Sequence, residues 1–84
     1  MSHYLAEITD TYGGEANFSW VTRHKIKASS QRGALIRLNR DSGLGFRYVG
    51  CDRFDSRSGA TCAFIVPWDD DEHGQLSHVS DYLA

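Results

Sequence analysis

An 84-residue chain with nine Lys and Arg, eleven Asp and Glu and a formal net charge of −2 makes one small domain, of a size that buries only roughly 60–65% of its unfolded surface. No apolar run approaches the roughly 20 residues that span a bilayer, and the opening Met1-Ser2-His3-Tyr4 lacks the basic and apolar stretches of a secretory signal, so the expectation is a soluble, cytoplasmic protein with no membrane partner. Two cysteines, Cys51 and Cys62, are too few for a disulfide scaffold or a four-cysteine zinc site.

The small net charge hides a strong asymmetry. Residues 1–22 carry Glu7, Asp10 and Glu15 and no base. Residues 23–57 hold all nine bases against Asp41, Asp52 and Asp55, and the remainder carries Asp69, Asp70, Asp71, Glu72 and Asp81. Such a chain presents an acidic surface to a basic partner or a basic surface to an acidic one, or its halves neutralise each other across the fold.

Residues 3–9 alternate as a strand, with Tyr4, Ala6 and Ile8 on one face and His3, Leu5, Glu7 and Thr9 on the other. Gly13 and Gly14 centre a turn over residues 10–17. Residues 17–27 alternate again, sending Phe18, Trp20, Thr22, His24 and Ile26 to the core and leaving Asn17, Ser19, Val21, Arg23, Lys25 and Lys27 as a wet, basic stripe. Ser29 or Ser30 suits the N-cap of a helix over about residues 30–41. At 100° per residue Ala34, Leu35 and Leu38 fall inward with Gln31, and Arg32, Arg37 and Arg40 fall outward. Gly33 makes this helix depend on packing rather than propensity, and Gly43 and Gly45 stop it.

Residues 45–52 and 60–67 read as a hairpin closed by a polar loop over 53–59, in a register that sets Cys51 opposite Cys62, Val49 opposite Phe64 and Tyr48 opposite Ile65. Pro67 ends the second strand, and the acidic tail 68–84, with a short apolar end at Val79, Tyr82 and Leu83, reads as irregular. The expected fold is α+β: a single domain in the order β-β-α-β-β, ordered over about 3–67, with one helix packed on a mostly antiparallel sheet.

The chemistry that these residues suggest is binding. The run Asp69-Asp70-Asp71-Glu72 lacks the spacing and turn glycine of an EF-hand, so it reads as an acidic patch imitating phosphate charge or as a solvated surface, and no metal is expected. No CxxC accompanies either cysteine, and no Ser/His/Asp or Cys/His arrangement follows from spacing, so no catalytic residue and no cofactor are expected. Arg23, Lys25 and Lys27, joined by Arg47, suit a nucleic-acid backbone, although the sequence pI of about 6.0 and the lack of any RNP, helix-turn-helix or zinc-finger signature weigh against it. Phe46, Tyr48 and Ile65, on the second face of the expected hairpin, form the candidate face for a homodimer or a foreign protein.

The segment His24-Lys25-Ile26-Lys27-Ala28-Ser29-Ser30, the helix with Ala34, Leu35 and Leu38, and the glycine-punctuated hairpin after it resemble small phage-encoded proteins of strand-strand-helix-strand build, anti-CRISPR proteins among them, over residues 17–67. The opening Asp10-Thr11-Tyr12-Gly13-Gly14-Glu15-Ala16-Asn17-Phe18-Ser19-Trp20 is also similar to that of small phage and prophage proteins. The resemblance implies a noncatalytic inhibitor that acts in a bacterial host cell by binding a protein or ribonucleoprotein complex such as a CRISPR effector, with Asp69, Asp70, Asp71 and Glu72 facing a basic DNA channel. The alternative from the residues alone is a small nucleic-acid-binding regulator using the basic strand face.

Overall fold

Period-two alternation over the first 28 residues builds one long hairpin. In the computed structural model, which describes residues 2–82 and only the backbone of Asp81 and Tyr82, β1 (Ser2–Tyr12) pairs antiparallel with β2 (Glu15–Ala28). Gly13 and Gly14, at φ 62° and 83°, make the two-residue turn in a left-handed conformation open to glycine at no steric cost. The Ser30 hydroxyl then accepts the Gly33 amide at 3.1 Å and starts α1 (Gln31–Ser42), which ends where Gly43, at φ 69°, returns its N–H to the Asn39 carbonyl.

The chain continues through β3 (Arg47–Gly50), β4 (Arg53–Asp55), β5 (Thr61–Pro67), the one-turn helix α2 (Asp70–His73) and β6 (Val79–Tyr82). The six strands form one sheet in the order β3-β4-β5-β1-β2-β6, antiparallel throughout except for the β2–β6 pair. The expected α+β class holds, with α1 packed on one face of a mostly antiparallel sheet. Beneath α1, Ala34 and Leu38 meet Ala6, Ile8, Ile26, Ala28, Phe46, Phe54, Ala63 and Ile65, and Tyr4 and Leu35 close the margin.

The opposite face has no long helix, yet Leu5, Thr9 and Cys62 on it are buried. Arg53 explains part of this cover. It lies level with Glu7, since both stand opposite Phe64, but its Nη2 donates to the Gly14 carbonyl at 2.7 Å, at the far end of the hairpin. The end of the hairpin therefore folds back across the face opposite α1. Asp55 accepts from Arg53 Nε at 2.9 Å and holds the guanidinium pointed this way.

Several expectations are corrected by this architecture. Residues 53–55 form the inner strand β4 rather than a loop, with Arg53 opposite Phe64, Phe54 opposite Ala63 and Asp55 opposite Cys62. Cys51 and Asp52, both at positive φ (50° and 61°), are the two-residue turn between β3 and β4, so Cys51 is exposed while Cys62 is buried, and the two do not pair. The extra strand arises because a left-handed two-residue turn reverses the chain at once, which the sequence Gly50-Cys51-Asp52-Arg53 does not advertise as Asn-Gly would. Phe46 and Ile65 are core residues, 2% and 0% exposed, and offer no dimer face; of the three residues expected there, Tyr48 alone is at the surface. The tail is partly regular, forming α2 and β6, while Leu83 lies outside the described residues.

Two substitutions test this packing in urea denaturation. Cys51→Gly removes a left-handed Cβ and raises the unfolding free energy by about 0.5–1 kcal/mol after the entropy glycine adds to the unfolded chain. Leu38→Ala empties a fully buried site and lowers it by about 2–5 kcal/mol.

Candidate functional site

The expected alternation of β2 breaks down where the hairpin leaves the core. Thr9 stands opposite Val21 and Thr11 opposite Ala16, so a single β1 residue, Asp10, faces the four β2 residues Asn17, Phe18, Ser19 and Trp20. A bulge of this size leaves backbone groups without ladder partners, and side chains of β1 supply them. The Thr9 hydroxyl accepts the Phe18 amide at 2.9 Å. Asp10 accepts the Ser19 amide at 3.1 Å, the Asn17 side-chain amide at 2.9 Å and the Ser19 hydroxyl.

The bulge has two consequences for side chains. Phe18 sits at φ 56°, a conformation that is uncommon for a bulky residue and that the surrounding hydrogen bonds must hold. It also crosses to the face opposite α1, where its ring stacks on Phe64 with centroids 6.2 Å apart and planes 12° from parallel. Despite that contact Phe18 is 59% exposed, Trp20 44% and Tyr12 80%. The expectation that Phe18, Trp20 and Thr22 line the core is thus corrected: of that face only Ile26 is buried, because α1 covers the base of the hairpin and stops short of its end. Three large aromatics at the surface of one hairpin are a composition found at the centre of protein interfaces rather than on bare surfaces.

The two charged features expected from the sequence prove to be neighbours. Arg23 Nε is bonded to Glu7 at 2.9 Å across the β1–β2 pair. Lys25 Nζ stands 4.4 Å from the centroid of the Trp68 ring, whose Nε1 donates to Asp70 at 2.7 Å. Asp69 caps α2 by accepting the Asp71 amide, and Glu72 lies 3.7 Å from the His73 ring. The acidic run is therefore the first turn of a short helix, where carboxylates complement unpaired amides. All four of its residues remain exposed. Lys27 is exposed beside Lys25, whereas Arg47 is on β3, four strands away from β2, and does not join the stripe.

Burial shifts two further titratable side chains. Burial pushes the Cys62 thiol above its ordinary pKa, so it carries little thiolate. Burial also holds the His24 imidazole below its usual value. Among the described residues no three His, Cys, Asp or Glu side chains converge to hold a metal ion, and no helix is long and apolar enough to cross a membrane. Comparison with protein-family models, with curated proteins and with solved structures finds no match to this chain.

Residue parity carries no mark of the bulge. A usable signal lay in composition: Asp10, Asn17 and Ser19, short polar side chains that bond to nearby backbone, flank the double glycine where an uninterrupted ladder needs none of them.

These hydrogen bonds set the acid behaviour. Donation first from the Ser19 hydroxyl and then from Asn17 draws the Asp10 pKa from its ordinary 3.8 down to about 2. A lowered carboxyl stabilises the fold above 3.8 and loses that contribution as the pH falls through about 2; His24, also lowered, contributes above its usual 6.5 and loses its share as the pH falls below it. A carbon-detected titration of the Asp10 carboxyl is expected to give a midpoint near 2. A midpoint near 3.8 means that the bulge is not held by this carboxylate.

Proposed function

We propose that this chain is a noncatalytic inhibitor, anti-CRISPR-like in mode, that binds a host nucleic-acid-processing complex by direct protein contact and works in the bacterial cytoplasm. The observation that carries the binding is the bulge: Phe18 and Trp20 are exposed on a backbone already fixed by Thr9 and Asp10. Aromatics presented this way lose little conformational freedom on docking, which is how a small surface reaches useful affinity.

The class of partner rests on the resemblance of residues 10–20 and 17–67 to small phage proteins, and the charge layout agrees with it. Phe64 is on β5 and Trp68 follows the strand's last residue, its N–H bonded to the His3 carbonyl, so residue parity puts the two rings on one side, four residues and about 13 Å apart. Phe18 stacks on the first, and Asp70 at the start of α2 bonds the second. Aromatic anchor and acidic turn thus lie along one face. Asp69, Asp70, Asp71 and Glu72 would steer this face to a Lys- and Arg-lined nucleic-acid channel, raising the association rate more than the affinity. The alternative reading, a nucleic-acid-binding regulator, has less in its favour, since Arg23 is paired with Glu7 and Lys25 is drawn to Trp68 beside Asp70.

The test is capture of partners from a bacterial lysate with active CRISPR and restriction systems, followed by a cleavage assay on the captured complex. The wild type should retain a nuclease complex and inhibit it. The pair Phe18→Ala and Trp20→Ala should lose most of this, by about tenfold or more. Neutralising Asp69, Asp70, Asp71 and Glu72 should slow association at low salt and matter little at high salt. Capture of no nucleic-acid-processing complex, or loss of binding only when Arg23, Lys25 and Lys27 become Ala, contradicts the proposal.

A further inference from the structure

At the end of the sheet away from β2, β3 is the outermost strand, so one row of its backbone N–H and C=O groups faces no neighbouring strand. Beside it a groove of about 210 Å³ opens between α1 and the sheet, lined by Gln31, Arg32, Leu35, Tyr48 and Phe54. Tyr48 and Phe54 form its aromatic wall, edge to face with centroids 5.3 Å apart. Tyr48 is 60% and Val49 54% exposed, so this edge carries apolar surface in water with nothing over it among the described residues. Natural edge strands are commonly shielded by charge or cover, and an uncovered edge beside a helix is the geometry in which an extended segment adds as a strand.

Charge selects the occupant. Arg32 lines the groove and Arg47 starts the strand; both are exposed, and neither forms a salt bridge among the described residues. Of the carboxylates close by, Asp52 accepts from Gln31 at 2.9 Å, and Asp55, opposite Arg47 across the β3–β4 pair, accepts from Arg53 Nε at 2.9 Å. A second copy docking edge to edge would set its own Arg32 and Arg47 against this pair, which like-charge repulsion disfavours. A nucleic-acid backbone would meet the arginines but leave the strand edge and the apolar groove unused. We propose that the β3–α1 groove binds an extended acidic segment of a partner protein, which pairs with β3 through main-chain hydrogen bonds, seats an apolar side chain against Leu35, Tyr48 and Phe54, and offers carboxylates to Arg32 and Arg47. This surface lies at the opposite end of the sheet from β2 and does not rest on the inhibitor reading.

The probe is the peptide Glu-Glu-Val-Glu-Val-Glu-Glu, blocked at both ends, titrated into the isotope-labelled full chain at low salt and followed by amide shifts. The expected result is a response confined to residues 47–50 and to Gln31 and Arg32, with affinity reduced about tenfold in the Arg32→Ser, Arg47→Ser protein, one such loss being about 1.4 kcal/mol. Both positions are exposed, so the variant should fold, and its amide spectrum outside the groove serves as the check. The same peptide with Lys for Glu should not bind. The proposal is overturned by shifts elsewhere or none at all, by equal binding of the Lys peptide, by an unchanged affinity in the double variant, by an oligothymidylate that shifts these amides more strongly, or by self-association through the same edge.

Discussion

One carboxylate governs the shape of the exposed half of this domain. A regular hairpin matches residues one to one, and here Asp10 stands against four. The surplus backbone would be expelled or disordered without partners, since each unpaired amide forgoes a bond that water or another group must replace. Asp10 and Thr9 supply those partners from the opposing strand. Because the acceptor is charged, the bonds are of the stronger, charge-assisted kind, and the depressed Asp10 pKa records the same fact from the proton's side.

What the bulge does locally, Arg53 does at longer range. Its bond to the Gly14 carbonyl draws the hairpin end over the sheet, while Asp55 fixes the guanidinium from below and raises its already high pKa. The result is a two-sided sheet made in two ways. One side is an ordinary helix-on-sheet core, with Ala34 and Leu38 against Ile26, Phe54 and Ile65. The other is closed by the sheet's own hairpin, which buries Thr9 and Cys62 but leaves aromatic rings outside. On this face the folded hairpin takes the place that a covering helix holds on the other.

The helix-covered side was legible in the sequence because its signals are local and periodic. Ala34, Leu35 and Leu38 recur at helical spacing, Ser30 and Gly43 mark the ends, and Tyr4, Ala6 and Ile8 alternate; each behaves as its pattern predicts. The other side was not legible, since it depends on events that patterns average away. Phe18 and Trp20 carry the parity of core residues, but the bulge and the reach of α1 leave them outside. The turn at Cys51 and Asp52 uses left-handed residues other than glycine, so the pattern alone shows a loop in place of β4 and puts the core residues Phe46 and Ile65 at the surface. Charge is segregated along the chain, yet folding brings Lys25, Trp68 and Asp70 together and turns two candidate patches into one neighbourhood.

The functional account follows from rigidity. Exposed aromatic rings on a mobile loop would be an aggregation hazard, whereas rings on a hydrogen-bonded bulge form a defined surface. The most direct measurement is hydrogen exchange at the Phe18 and Ser19 amides in the free wild-type protein. If Thr9 and Asp10 hold the bulge closed, both amides exchange at least about a hundredfold more slowly than an unfolded chain would, comparable with the paired amides of β1. Exchange of both at the unfolded rate would mean that the bulge is open in solution and that no preformed aromatic surface exists.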